Sequence, residues 1–91
     1  MHNIIDRDPV AMEQFCQKLA DFCDTMEHKS CVLRKKCAEA DYAMQDENGK
    51  LVVNRLNSMA DDILVQVAQA RALVSRISRS AALLAESEEE A

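Results

Sequence analysis

Cysteine has the widest chemistry of any residue type in this 91-residue chain, and its four copies, Cys16, Cys23, Cys31 and Cys37, all lie in the first half. An even count of cysteines suggests a disulfide framework. The spacing argues otherwise. Neighbouring cysteines are six to eight residues apart. On one helix that separates them by roughly 9–12 Å along the axis. A disulfide needs Cα atoms within about 7 Å. If this segment is a single helix, the thiols stay free and serve as small apolar packing residues.

A metal site is the sharper alternative. His28 and Cys31 stand three residues apart and could share one ion. A tetrahedral site needs about four ligands, and Cys23 is too far along the helix to join them. The Glu-X-X-His spacing of di-iron bundles is missing, because Thr25 stands three residues before His28. His2 belongs to the terminus. A Cys–His nucleophile also needs an orienting third group, and the sequence offers none. The expectation is a non-enzymatic protein with no catalytic residues, no metal ligands and no cofactor. A thiol- or metal-binding helical bundle stays as a third reading. The basic run Arg34-Lys35-Lys36 reads as a solvated or ion-paired face. Glu86, Glu88, Glu89 and Glu90 form an acidic tail.

The elements that carry these residues follow from what is scarce. The chain has one Gly, one Pro, three aromatics and no Trp, with 48% hydrophobic and 30% charged residues. A β-rich fold needs turn residues and β-branched or aromatic strands. A phosphate-cradling loop needs several glycines. Disorder needs low hydrophobicity. All three are excluded, and an all-helical chain remains. Its formal charge of −5 argues against a nucleic-acid partner, which calls for a basic face. No apolar run approaches the ~18 residues of a membrane span, so no membrane insertion is expected. No charged-then-apolar leader opens the chain. The expected location is cytoplasmic, or outside the cell by a route that cleaves no signal peptide.

Asp8-Pro9 is a strong helix start, a capping carboxylate followed by the residue that suits the first helical position. Nothing breaks a helix until the segment Gln45-Asp46-Glu47-Asn48-Gly49-Lys50, and nothing does so again until the acidic tail. The sequence therefore predicts one domain over 1–91. It has a helix at 9–45, a turn at 46–50 marked by Gly49, a helix at 51–86 and an acidic tail at 87–91. Two such helices form an antiparallel hairpin.

Heptad periodicity supports this. Met12, Leu19, Met26, Leu33 and Ala40 recur every seven residues in the first helix, flanked by Phe15 and Phe22 on one side and by Cys16, Cys23, Cys37 and Met44 on the other. Leu56, Ile63, Ala70, Ile77 and Leu84 recur in the second, flanked by Val52 and Met59 and then by Val67, Val74 and Ala81. A turn centred near Asn48 sets Asp41 opposite Arg55, Lys35 and Lys36 opposite Asp61 and Asp62, Asp21 near Arg76 and Asp24 near Arg71. Leu64 and Val65 fall off the seam. The apolar stripe of the first helix is wider than two helices need. Both observations favour a second packing surface and a dimer forming a four-helix bundle. The interface candidates are Phe15, Leu19, Phe22, Met26, Leu33, Leu64 and Val65.

An acidic hairpin of two ~40-residue helices resembles the WXG helical-hairpin family, small substrates and partners of type VII (early-secreted-antigen) secretion systems. The family's turn carries Trp-X-Gly. The corresponding segment here is Met44-Gln45-Asp46, followed by Glu47-Asn48-Gly49, with Met44 in the place of the Trp and Asp46 in the place of the Gly. The family's export signal is Tyr-X-X-X-Asp/Glu. Leu84 and Glu88 give its spacing and its acid without the aromatic. The resemblance implies a bacterial hairpin that pairs with itself, as a homodimer, or with a related helical protein. A cytoplasmic coiled-coil adaptor or small chaperone with no secretion role is the alternative.

Overall fold

A computed structural model describes residues 8–90 of the chain. Among them the architecture is all-helical: α1 (Pro9–Ala43, 35 residues) and α2 (Glu47–Glu90, 44 residues) pack as a hairpin. Asp8 caps α1 as its sequence position suggests. Its Oδ1 accepts the Val10 N–H at 3.0 Å and its carbonyl accepts the Met12 N–H at 2.9 Å. At the other end the Gln45 side-chain amide donates to the carbonyls of Asp41 (3.1 Å) and Tyr42 (2.9 Å). Those are terminal carbonyls that the helix leaves without an internal partner.

The connection is shorter than the expected 46–50. Only Met44, Gln45 and Asp46 are non-helical. The reason is a second cap: Asp46 Oδ1 accepts the Gly49 N–H at 2.8 Å, and the Asp46 carbonyl accepts the Lys50 N–H at 3.0 Å. Helical geometry therefore begins at Glu47, and Gly49 lies within the first turn of α2. Among the described residues none takes a positive φ, so this glycine supplies no left-handed bend. Its role is close approach. A Cβ there would lie 2.6 Å from Asp46 Oδ1 and 2.7 Å from Met44 Cβ, and it would displace the cap.

The far end of α2 also differs from expectation. Residues 87–90 continue the helix. Acidic residues near a helix C-terminus cost a few tenths to ~1 kcal/mol against the macrodipole. The run of Ala, Leu and Glu has high helix propensity, and that preference prevails. His2 and Ala91 lie outside the described residues.

The helices divide into two compact units, Met1–Cys23 with Gln69–Ala91, and Asp24–Ala68. In the first, Cys16, Cys23 and Ala81 are buried. The Cys16 thiol donates to the Val74 carbonyl at 3.7 Å, and the Ser78 hydroxyl donates to Glu13 Oε1 at 2.8 Å. In the second, Ser30, Cys37, Val53, Ala60 and Val67 are buried. The Ser30 hydroxyl, 0% exposed, donates to the Ala60 carbonyl at 2.9 Å. Lys50 pairs with Asp41 at 2.9 Å, and Arg34 pairs with Asp61.

The register is thus shifted from the one centred on Asn48. Asp41 meets Lys50 rather than Arg55, and Asp61 meets Arg34 rather than Lys35, while Lys36 pairs along its own helix with Glu39 at 3.6 Å. Forming the first turn of α2 at residues 47–50 moves the centre of the hairpin toward Gln45. The seam rotates as well. Within α1 the most buried column is Cys16, Cys23, Ser30 and Cys37, and within α2 it is Val53, Ala60, Val67 and Ala81. The columns expected at the centre are half-buried beside these.

Ser30 sets how close the helices lie. A hydroxyl one bond from Cβ reaches a main-chain carbonyl on another helix only if the backbones approach closely, and small residues permit that approach. Ser30→Ala should cost about 1 kcal/mol, one buried hydrogen bond. Ser30→Leu should cost about 1–3 kcal/mol or more by overpacking. Gly49→Ala should also destabilise despite the ~1 kcal/mol gain in helix propensity, because its Cβ collides with the cap. Urea unfolding followed by circular dichroism checks all three.

Candidate interaction surface

The residues buried in the seam are Cys, Ser, Ala and Val; none is larger than valine. The large apolar side chains are half-buried beside the seam or exposed. Twelve are exposed among the described residues, including Phe15 (54%) and Phe22 (58%). Both consequences have one origin. Heptad positions that carry small residues face the other helix, and the phenylalanines precede those positions by one residue, at Phe15-Cys16 and Phe22-Cys23. A step of one residue turns a side chain by ~100° around the axis, which takes it out of the seam.

In the first unit the Glu13–Ser78 hydrogen bond marks one edge of the helix pair. Phe15, Phe22 and Leu73 are exposed along the other edge. Beside them Met12, Leu19 and Ile77 are half-buried. A cleft lined by Met12, Ser80, Leu83 and Leu84 opens there. In the second unit the ion pairs Asp41–Lys50 and Arg34–Asp61 mark one edge, and Val52 and Met59 are exposed. Each unit therefore has a polar edge and an apolar one.

The sequence candidates fall into three groups on this surface. Phe15 and Phe22 share one exposed column of the first unit. Leu19, Met26 and Leu33 are half-buried in the α1 column next to the seam. Leu64 and Val65 separate: Leu64 is half-buried and packs within the hairpin, whereas Val65 is exposed. Leu64 is therefore not the wet side chain that its off-seam position suggests, because the rotated seam brings it inward. Of the turn residues, Met44 is partly exposed, Asp46 is the cap and Gly49 is buried under it. Leu84 is half-buried and Glu88 exposed, both on α2.

Sequence reasoning missed Ser30 and Ala60. The signal was present in the exact seven-residue spacing of Cys16, Cys23, Ser30 and Cys37. A polar serine interrupting a thiol column hid it. Leu73 was missed in the same way, by following the wrong column of α2.

Three of the four thiols are enclosed, and Cys31 alone is exposed. Burial pushes the Cys16 thiol above its ordinary range, and the Glu13 carboxylate adds to the effect. Among the described residues no group of three or more His, Cys, Asp or Glu could hold a metal ion. None of the described helices is long and apolar enough to cross a membrane.

At neutral pH, Ellman's reagent should modify Cys31 rapidly in the folded chain and the other three cysteines only as the hairpin opens. The pH sign follows from Cys16. Its folded thiol holds its proton above the ordinary value of 9.0, so the folded state binds more protons than the unfolded one there. Stability should be unaffected by this group below about pH 9 and should fall as pH rises beyond it. Urea midpoints between pH 7 and 10 measure that slope.

No protein-family model matches the chain, and neither the curated proteins nor the solved structures contain a significant match to it.

Proposed function

We propose that this chain is a non-enzymatic helical-hairpin protein of the WXG kind, which acts by pairing with itself or with a helical partner as a substrate or partner of a type VII secretion system. The observation that carries the pairing is the inversion of size across the fold. The seam encloses side chains no larger than valine, while Phe15, Phe22, Met59 and Leu73 stay in water. Each large apolar side chain left exposed forgoes roughly 1.5–3 kcal/mol that full burial would contribute. A second helical surface recovers it.

The turn supports the family reading. The three residues that stand in the place of the family's motif, Met44, Gln45 and Asp46, are the ones that link α1 to α2. Asp46 occupies the glycine's place and uses its carboxylate as a cap. The four free thiols, the exposed Cys31 among them, favour a second reading, a cytoplasmic adaptor or small chaperone, because unpaired thiols persist in a reducing compartment.

The two readings differ in what happens when the secretion ATPase is deleted. A tagged chain expressed in its native host should appear outside the cell, or co-purify with an exported helical protein, only while the ATPase is present. The purified unit should sediment as a dimer or as a complex with that partner. The double variant Phe15→Asp/Phe22→Asp should lose that association while keeping its helical circular dichroism. Export that survives loss of the ATPase contradicts the secretion role. A monomer with no partner contradicts pairing.

A further inference from the structure

The charged residues three and four positions from the exposed phenylalanines and Leu73 are basic, on a chain whose net charge is −5. On a helix the surface neighbours of a residue lie three and four positions away. For Phe15 and Phe22 these are Ala11, Met12, Lys18, Leu19, Thr25 and Met26. For Leu73 they are Gln69, Ala70, Arg76 and Ile77. The chain has 16 acidic residues against 11 basic ones, yet no carboxylate is among these neighbours. Lys18 and Arg76 are, and both are exposed. Glu13 lies on the opposite edge of this unit, hydrogen-bonded to Ser78.

We infer that the apolar edge of Phe15, Phe22 and Leu73 receives an amphipathic helix whose polar flanks are acidic. The inference rests on the pairing reading and narrows its partner. An apolar stripe on the incoming helix would cover the phenylalanines and Leu73. Carboxylates on its flanks would meet Lys18 and Arg76. Charge complementarity of this kind selects the partner more than it adds affinity. A second copy docking by the same edge would set Lys18 and Arg76 against their own kind, a like-charge arrangement that costs free energy. An anionic membrane is a poorer fit. Recruitment to such a surface uses clusters of about 4–8 basic residues, and this edge has two, on a chain of net charge −5.

The test uses the full chain and two synthetic 21-residue helical peptides with the same leucine stripe. One is flanked by glutamate and the other by lysine. Fluorescence anisotropy should show the glutamate peptide binding about tenfold more tightly, the size expected when two exposed ion pairs replace two like-charge contacts. Raising the salt should shrink the difference. The charge-reversal variant Lys18→Glu/Arg76→Glu, at two exposed positions, should invert the preference. Phe22→Asp should abolish binding of both peptides while leaving the circular dichroism unchanged.

Equal binding of the two peptides, or binding of neither, overturns the inference. So does association with phosphatidylserine vesicles without a preference between peptides. Sedimentation of the free chain separates this failure from failure of the pairing reading. A homodimer that dissociates on Phe22→Asp overturns the acidic partner and leaves pairing intact.

Discussion

Close approach of the two helix backbones, marked by the buried contact between the Ser30 hydroxyl and the Ala60 carbonyl, is the constraint on which the packing around it depends. That contact needs the two backbones close together in the unit that contains it. Close helices leave room only for small side chains, and the column that faces inward meets that demand with Cys37 on α1 and with Val53 and Val67 on α2. The other unit repeats the solution with Cys16, Cys23 and Ala81, and a thiol-to-carbonyl contact from Cys16 to Val74 takes the place of the serine. Three of the four thiols, Cys16, Cys23 and Cys37, are thus explained by size and burial. A cysteine is about as small as a serine and prefers the interior.

A seam of small residues has a cost in hydrophobic free energy. Burial scales with apolar area, and Cys, Ala and Ser contribute little of it. Of the large side chains that would contribute most, Phe15, Phe22, Met59 and Leu73 are turned outward, and Leu19, Leu33, Ile63 and Ile77 are only half-buried. This is the physical basis of the proposed pairing. Its own contacts define a register and a polar edge, and its apolar edge is matched by nothing within the units described. Single exposed apolar residues are common on any protein. Here the exposed residues include both phenylalanines of the chain.

Much of the fold was legible in the sequence, for reasons that can be traced to particular residues. Asp8-Pro9 opens α1 because a carboxylate and a fixed φ both favour that position. The absence of other breakers leaves two long helices. The turn was misplaced because Gly49 is the only glycine and glycine usually marks a bend. Asp46 decided the matter instead, since its carboxylate starts α2 before the glycine is reached. The register followed the turn, so Asp41 found Lys50. Phe15 and Phe22 are exposed, and the heptad column of larger residues that periodicity places at the centre is half-buried beside the seam. Hydrophobic periodicity gives the period of a seam and not its phase. The inward phase belongs to the column of small residues that includes Ser30, and periodicity does not count a serine as core.

This hairpin turns its small residues inward and its phenylalanines outward. Hydroxyl-radical footprinting with mass spectrometry reads both at once on the free chain. Phe15, Phe22 and Met59 should be oxidised quickly at low protein concentration, and Cys16, Cys23 and Cys37 slowly relative to Cys31. Slow oxidation of Phe15 and Phe22 in a monomer, together with fast oxidation of the seam thiols, would contradict the account.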